Sequence, residues 1–412
     1  MSIRYGAVGV WVVALSLLCG LSMDGLCGDA GNEPIVESAV VSSQSYVGHE
    51  NEIDSDHLVR TYPALMGTRL DDCQTCHTAG TVHEKRGNRI EAVELNPCSY
   101  CHLIPYPEDQ YVQGVPSSYH ETLNPFGAAY MNAGRSEAAI LAIRDADSDG
   151  DGYSNDTELT GGFYPGDSTS LPGQPVAPYV TYEFSDLVAL PAHDQFLLMN
   201  SHKQKLDNYT RYVGVRVKDI LADAGAAVEV GGSITFIAPD GFAKDFDYDA
   251  IYSAYPAGIY YPNLAPGDFE DPGQGFVTYP PADLIPDGVA EGAAIPGEQW
   301  LIVAYERDGA GLDKSYLDPA SGTLEGEGPY RNIVPQSRPG SPDRGSRQSP
   351  SGYEDGWDYD DDKDHNAGSC VRGVVAIRVN PLPEGYEEFD WKNGGFSLLE
   401  KRQLLIYGAG IE

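Results

Sequence analysis

Two short segments of this chain set two cysteines and a histidine at a fixed spacing: Cys73-Gln-Thr-Cys76-His77 and Cys98-Ser-Tyr-Cys101-His102. The C-x-x-C-H pattern is the attachment site of a c-type haem. Its two thiols add across the vinyl groups of one porphyrin, and the histidine that follows at once reaches the iron from one face. A four-thiolate zinc site or a pair of short disulfides would also use the cysteines. Zinc, however, needs no histidine directly after each second cysteine. The repetition therefore predicts two covalently bound haem c groups, with His77 and His102 as proximal ligands. Only Thr78 to Pro97 separates the motifs, so the haems are expected to lie close and to exchange electrons.

Each iron then needs a sixth ligand or an open site. The first half of the chain offers His49, His57, His83 and His120, with Met66 and Met131 as thioether options. His120 precedes Leu123-Asn-Pro-Phe-Gly127, a turn expected to fix its direction, and it is assigned to one haem; His57 is assigned to the other. His83 follows His77 so closely that a neighbouring iron suits it better than its own. For each of these the plain alternative is an exposed histidine without a ligand role. Many histidines against few methionines favour bis-histidine ligation, which gives low potentials and saturated irons suited to electron transfer.

A second metal signal lies further along the chain. Asp147-Ser-Asp149-Gly-Asp151-Gly-Tyr153-Ser-Asn155-Asp-Thr-Glu158 matches the twelve-residue calcium loop at every ligand position. Carboxylates stand at 1, 3 and 5, glycine at 6, the Tyr153 carbonyl at 7, Asn155 at 9 and Glu158 at 12. Such hard oxygen donors suit calcium, and the expected role is to neutralise the carboxylates and stiffen a hinge between the haem region and a β-rich domain. The plain alternative is an acidic, solvated turn.

The elements that must hold these groups are harder to read. Met1 to Arg4 is a short basic start, and Ala7 to Gly20 is apolar but short for a membrane span. With cleavage expected after Ser22 or Ala30, residues 1–30 read as a secretory signal peptide. Export agrees with haem attachment outside the cytoplasm and implies a periplasmic or extracellular protein. The chain carries 62 acidic against 26 basic residues, a formal charge of -36, which disfavours nucleic acid and anionic lipid as partners. No apolar run in the mature chain is long enough to span a bilayer. Residues 31–56 read as a linker, 57–144 as a loop- and helix-rich dihaem region, 145–160 as the calcium loop and 175–412 as a β-rich domain. A helix is expected over Ser136–Arg144 with Ser136 as its N-cap, and another over Val215–Ala224. Strands are expected at Tyr179–Phe184, Ser233–Ala238, Gln299–Tyr305, Val371–Val379 and Gln403–Tyr407. Residues 336–369, rich in Ser, Pro, Gly, Arg and Asp, read as a long surface loop. The fold class is α+β.

Val213–Gly225, Ser233–Phe242, Leu301–Gly309 and Pro329–Pro335 resemble, in order, the molybdopterin-binding domain of the sulfite oxidase family. That resemblance implies a shared fold for the β-rich part. The family's molybdenum-ligating cysteine would lie upstream of the first segment, but Leu197–Val213 contains none; Cys370, far downstream, reads as a buried spare thiol. Gly326-Glu-Gly-Pro329 with Tyr330–Gln336, the two haem motifs and Asp364-His-Asn-Ala-Gly368 resemble the dihaem proteins named for their GEGP motif. Its glycines are read as permitting a tight turn.

These readings converge on an exported dihaem c-type cytochrome acting in electron transfer with redox partner proteins in the periplasm or at the cell surface. The alternative is an extracytoplasmic redox enzyme whose C-terminal domain binds a pterin or other substrate while the haems drain its electrons. An adhesin bearing haem is a third reading.

Overall fold

The computed structural model describes residues 53–77, 81–86, 89–94, 123–201, 207–262, 264, 277–318, 323–343, 362–387, 389, 391–408 and 410–411. All of them belong to the compact unit Ile35–Glu412. The expected signal peptide, most of the expected linker, and Cys98, Cys101, His102 and His120 lie outside the described residues.

The first part is helical. Helix α1 (Ile53–Thr61) has Asp54 and Asp56 in its first turn and Arg60 in its last, charges that complement the helix dipole. The linker read over 31–56 thus ends early, because Ile53–Asp56 already belong to α1. Between the two C-x-x-C-H motifs runs an antiparallel hairpin, β1 (Thr81–Arg86) and β2 (Arg89–Glu94), which the sequence reading did not foresee. Helix α2 (Pro125–Asn132) starts with proline in its first turn, and the Asn124 side chain caps it by accepting from Gly127 N. Helix α3 (Glu137–Ile143) is capped by Ser136, as its sequence predicts. Helix α4 (Asn155–Gly161) is capped by Ser154 and ends at Gly162 in the left-handed conformation. These helices bury Leu58, Leu70, Phe126, Tyr130, Ile140 and Leu159 in one apolar cluster.

The second part is β-rich. Strand β3 (Tyr179–Tyr182) stops two residues before its expected end. There Asp186 accepts the Glu183 N–H and α5 (Phe184–Ala189) begins. Strands β4 (Ala192–Met199) and β5 (Asp207–Arg216) form a long antiparallel pair. Helix α6 (Val217–Asp223) begins two residues later than expected, because Val215 and Arg216 pair with Val303 and Ile302. Then come β6 (Ser233–Ile237), β7 (Ala243–Asp247), α7 (Tyr248–Tyr252), β8 (Ile259–Tyr260), β9 (Val277–Thr278), β10 (Ala293–Ala294), β11 (Ile302–Arg307), β12 (Ala310–Gly311), β13 (Tyr316–Asp318), β14 (Thr323–Glu325) and β15 (Arg331–Ile333). The chain closes with β16 (Ala376–Asn380), α8 (Trp391–Lys401) and β17 (Leu404–Gly408).

The six-stranded sheet runs β12-β11-β5-β4, with β15 also on β11 and β9 on β5; the five-stranded sheet runs β3-β17-β16-β6-β7, and β8 pairs with β10 and β13 with β14 in two small sheets. The largest apolar cluster draws residues from both larger sheets, including Leu197, Tyr212 and Ile302 from the first and Ile234, Ile377 and Ile406 from the second. The molecule is therefore α+β, as composition and patterning predict. The described ends of the 336–369 segment depart from a surface loop: Gln336, Asp343 and Asn366 are buried, and Asn366–Ser369 form a 3₁₀ turn.

Candidate functional site

The first C-x-x-C-H segment is a tight, fully tied turn. Asp72 accepts from Gln74 N at 3.0 Å and caps the 3₁₀ turn Cys73–Thr75. The Cys73 carbonyl accepts the N–H groups of both Cys76 (3.1 Å) and His77 (2.9 Å). The backbones of Cys73, Cys76 and His77 are thereby tied into one tight turn. Cys73 is exposed, whereas Cys76 packs against the helical cluster. Burial pushes the Cys76 thiol up to about 12, helped by Cys73 and Asp54. Burial pushes the His77 imidazole down to about 4, against the opposing pull of Asp54. His77 is thus neutral at ordinary pH, the form in which an imidazole binds iron.

The Leu123-Asn-Pro-Phe-Gly127 turn clamps this motif. Asn124 donates from its side-chain amide to Gln74 O (3.2 Å) and Thr75 O (3.1 Å), and from its backbone to Cys76 O (3.0 Å). Leu123 bridges His77. A Cβ at Gly127 would stand 2.0 Å from the Cys76 carbonyl oxygen, so only glycine lets α2 approach this closely. The sequence reading gave this turn the task of aiming His120, which lies outside the described residues. Its visible task is to hold Cys76 and His77.

His57 stands on α1 within a chain of polar contacts. Its Nδ1 is 2.7 Å from the Tyr130 hydroxyl. Tyr130 in turn donates to Asp54 Oδ1 at 2.9 Å, and Arg135 donates to Asp54 Oδ2 at 3.1 Å from Nε. Burial works to raise the Asp54 carboxyl, but Arg135 and the Tyr130 hydroxyl outweigh it and hold it below the usual value. A carboxylate can only accept, so the single tyrosine proton is committed to Asp54. The tyrosine oxygen then accepts from His57 Nδ1–H, which leaves the lone pair on Nε2, the arrangement of a metal-binding histidine. Asp54 also acts electrostatically on both Cys76 and His77, so His57 and the first motif share one neighbourhood. Of the thioether candidates, Met66 is 68% exposed. For His83 only the backbone, in β1, is described.

Cys73, Cys76 and His77 supply the two thiols and the imidazole that covalent haem attachment would use. The Cys98–His102 motif lies outside the described residues.

In the Asp147–Glu158 loop, ligand oxygens of Asp147, Asp149 and Asp151 lie within 4.8 Å of one another. Glu158 and Asn155 are fully buried. Both Glu158 carboxylate oxygens, Asn155 Oδ1, Asp149 Oδ2 and Asp151 Oδ2 have no hydrogen-bond partner. Burial first, then Asp149, Asp151 and Asp147, push the Glu158 carboxyl up to about 8. Tyr153 itself is exposed; the loop pattern calls on its backbone carbonyl. The loop is built into the helical cluster through Leu159 and Tyr164, rather than standing apart as a hinge.

The remaining motif residues are structural ties. Glu327 of the Gly326-Glu-Gly-Pro329 segment accepts from Arg307 Nη1 (2.7 Å) and pairs with Arg331 Nη1 (2.8 Å), while the Tyr212 hydroxyl lies 3.3 Å from it. Gly326 has φ +81°, and a Cβ there would meet the Lys314 carbonyl at 2.4 Å. The glycine therefore permits a close backbone approach as well as the expected turn. Asn366 donates to Leu198 O (3.0 Å) and Val334 O (2.8 Å) and accepts from Asn200 N (2.9 Å). His365 lies 3.0 Å from Asp343. Cys370 is buried, as expected, and its sulfur accepts from Val334 N at 3.4 Å. Sequence reasoning missed Asp54, Tyr130 and Asn124; the one available signal was the Asn-Pro pair that caps α2.

No helix among the described residues is long and apolar enough to cross a membrane. No family model, no curated protein and no solved structure matches the chain.

Proposed function

We propose that this chain is an exported dihaem c-type cytochrome that carries electrons between redox partner proteins outside the cytoplasm. What supports this reading most is the first motif. Its backbone is closed into one turn on the Cys73 carbonyl and clamped by Asn124, and His57, held by Tyr130, stands in the same neighbourhood. When bound, haem supplies a one-electron couple whose potential is set by its two axial ligands and their surroundings. The chain's own part is to hold the ligands still. Asp72 and Asn124 fix the turn that presents His77, and Asp54 with Tyr130 fixes the ring of His57. The second motif repeats the residues of the first, and the relay reading rests on that repetition.

The test is direct. Intact-mass measurement of exported protein should give the polypeptide plus two haems, and the reduced protein should show low-spin c-type bands without binding carbon monoxide. Bare polypeptide would end this reading. Stoichiometric molybdenum in native protein would instead promote the redox-enzyme alternative, with the C-terminal domain as the substrate-binding part.

A further inference from the structure

The Asp147–Glu158 loop contains a contradiction that a cation resolves. Asp147 is internally satisfied, accepting from Gly150 N at 2.7 Å and Gly152 N at 3.0 Å. Glu158 is not: it is fully buried, and neither carboxylate oxygen has a partner. A buried carboxylate without a compensating charge or hydrogen bond is costly, and its neighbours here are three more carboxylates. Asn155 is equally buried; its amide nitrogen donates to Ile143 O at 2.7 Å, and its Oδ1 is left without a partner. The unsatisfied oxygens of Asp149, Asp151, Asn155 and Glu158 sit at the ligand positions of a calcium loop.

The same residues tie the loop to the haem seat. Asp156, between Asn155 and Glu158, accepts from the Tyr62 hydroxyl at 2.7 Å, just beyond α1. Leu159, next to Glu158 on α4, is packed in the cluster with Leu58 and Phe126. Tyr130 of that cluster holds His57, and α2, which carries it, bears on the Cys76 carbonyl through Gly127. An ion between Glu158 and the three aspartates would therefore bear directly on α4 and on this packing.

We propose that Asp147, Asp149, Asp151, the Tyr153 carbonyl, Asn155 and Glu158 bind one calcium ion, and that this ion holds closed the cluster seating Cys76, His77 and His57. The calcium site stands independently of the function proposed above; its link to haem rests on that reading.

The experiment uses the full exported chain, stripped with a chelator and then titrated with calcium alone. Calcium at a hundredfold above its Kd should raise Tm by about 3–4 °C, with a smaller response to magnesium. Glu158→Gln should lose most of that rise. In the stripped state it should melt no lower than the stripped wild type, because the amide replaces a carboxyl that faces three aspartates without a partner; Asp149→Asn provides the same comparison should Glu158→Gln fold poorly. A chain indifferent to calcium, or variants destabilised equally with and without it, would overturn the site. In haem-loaded protein, chelation should shift the potential of one haem and return it on adding calcium; an unchanged redox titration would overturn the link. Protein that lacks haem by mass yet melts at a calcium-dependent temperature would remove the cytochrome reading and leave the ion site intact.

Discussion

His57 carries the most consequential single-residue argument. Tyr130 has one proton and two polar neighbours, and the carboxylate of Asp54 takes that proton. Tyr130→Phe removes the acceptor for His57 Nδ1–H and frees the imidazole to rotate. Loss of such a support typically weakens metal ligation by about 10- to 100-fold. We expect both haems to remain attached in Tyr130→Phe, with the potential of one shifted and its low-spin bands weakened. His57→Ala should open that iron to carbon monoxide, and added imidazole should close it again. If His57 is only a surface histidine, neither variant alters the spectrum. Glu327 supports a prediction of another kind. It joins Arg307 and Arg331 in the β-rich part, and Arg331 is only 6% exposed. Removing one partner of a buried pair costs about 3–5 kcal/mol. Glu327→Gln should lower stability by an amount in that range in denaturant unfolding. Adding Arg331→Met should recover part of it, since the stranded charge is then gone.

At the scale of elements, the motifs were legible and their supports were not. C-x-x-C-H and the calcium loop declare themselves because their chemistry fixes residue type and spacing within one short segment. The Asn124 clamp joins residues 49 and 50 positions apart, and no local pattern announces such a pairing. The helix at Ser136–Arg144 was readable from its cap and apolar spacing. The end of β5 was not, because Val215 and Arg216 are held by partners on β11 against a locally helical texture. Residues 371–375 show the converse: an apolar run that looks like a strand and becomes one only from Ala376. The element-scale prediction concerns α2. Gly127→Ala would drive a methyl into the Cys76 carbonyl, and overpacking of this kind costs about 1–3 kcal/mol or more. The strain falls on the first haem turn, so exported Gly127→Ala should accumulate a one-haem species by intact mass. Peptide mapping should place the missing haem at Cys73 and Cys76. Equal loss at both motifs would show a general folding defect instead.

For the whole molecule the question is what joins the helical part to the sheets, since their main apolar clusters are separate. The joint is polar and lies beside the first haem motif. Arg69 donates to both carboxylate oxygens of Glu387, at 2.6 and 2.9 Å, and to the Gly162 carbonyl at 2.8 Å. Its guanidinium also stands 4.9 Å from the centre of the Tyr164 ring. Lys401 of α8 reaches Asp71 O at 3.2 Å and Asp72 Oδ2 at 3.3 Å, and Ser397 donates to the same Asp72 oxygen. Asp72 is the cap of the Cys73–Thr75 turn, so the sheets' last helix braces the residue that shapes that turn. Hydrogen bonds to charged groups contribute about 1.5–3 kcal/mol each, enough in concert to make two clusters melt as one. Arg69→Met keeps the packing stem but loses the fork to Glu387. The unaltered full chain should show one calorimetric transition and the variant two, the lower one belonging to the helical part and sensitive to calcium. A transition that stays single and merely moves down would mean that the two parts are joined by more than this polar seam. The brace from α8 would then be incidental to how the first haem is held.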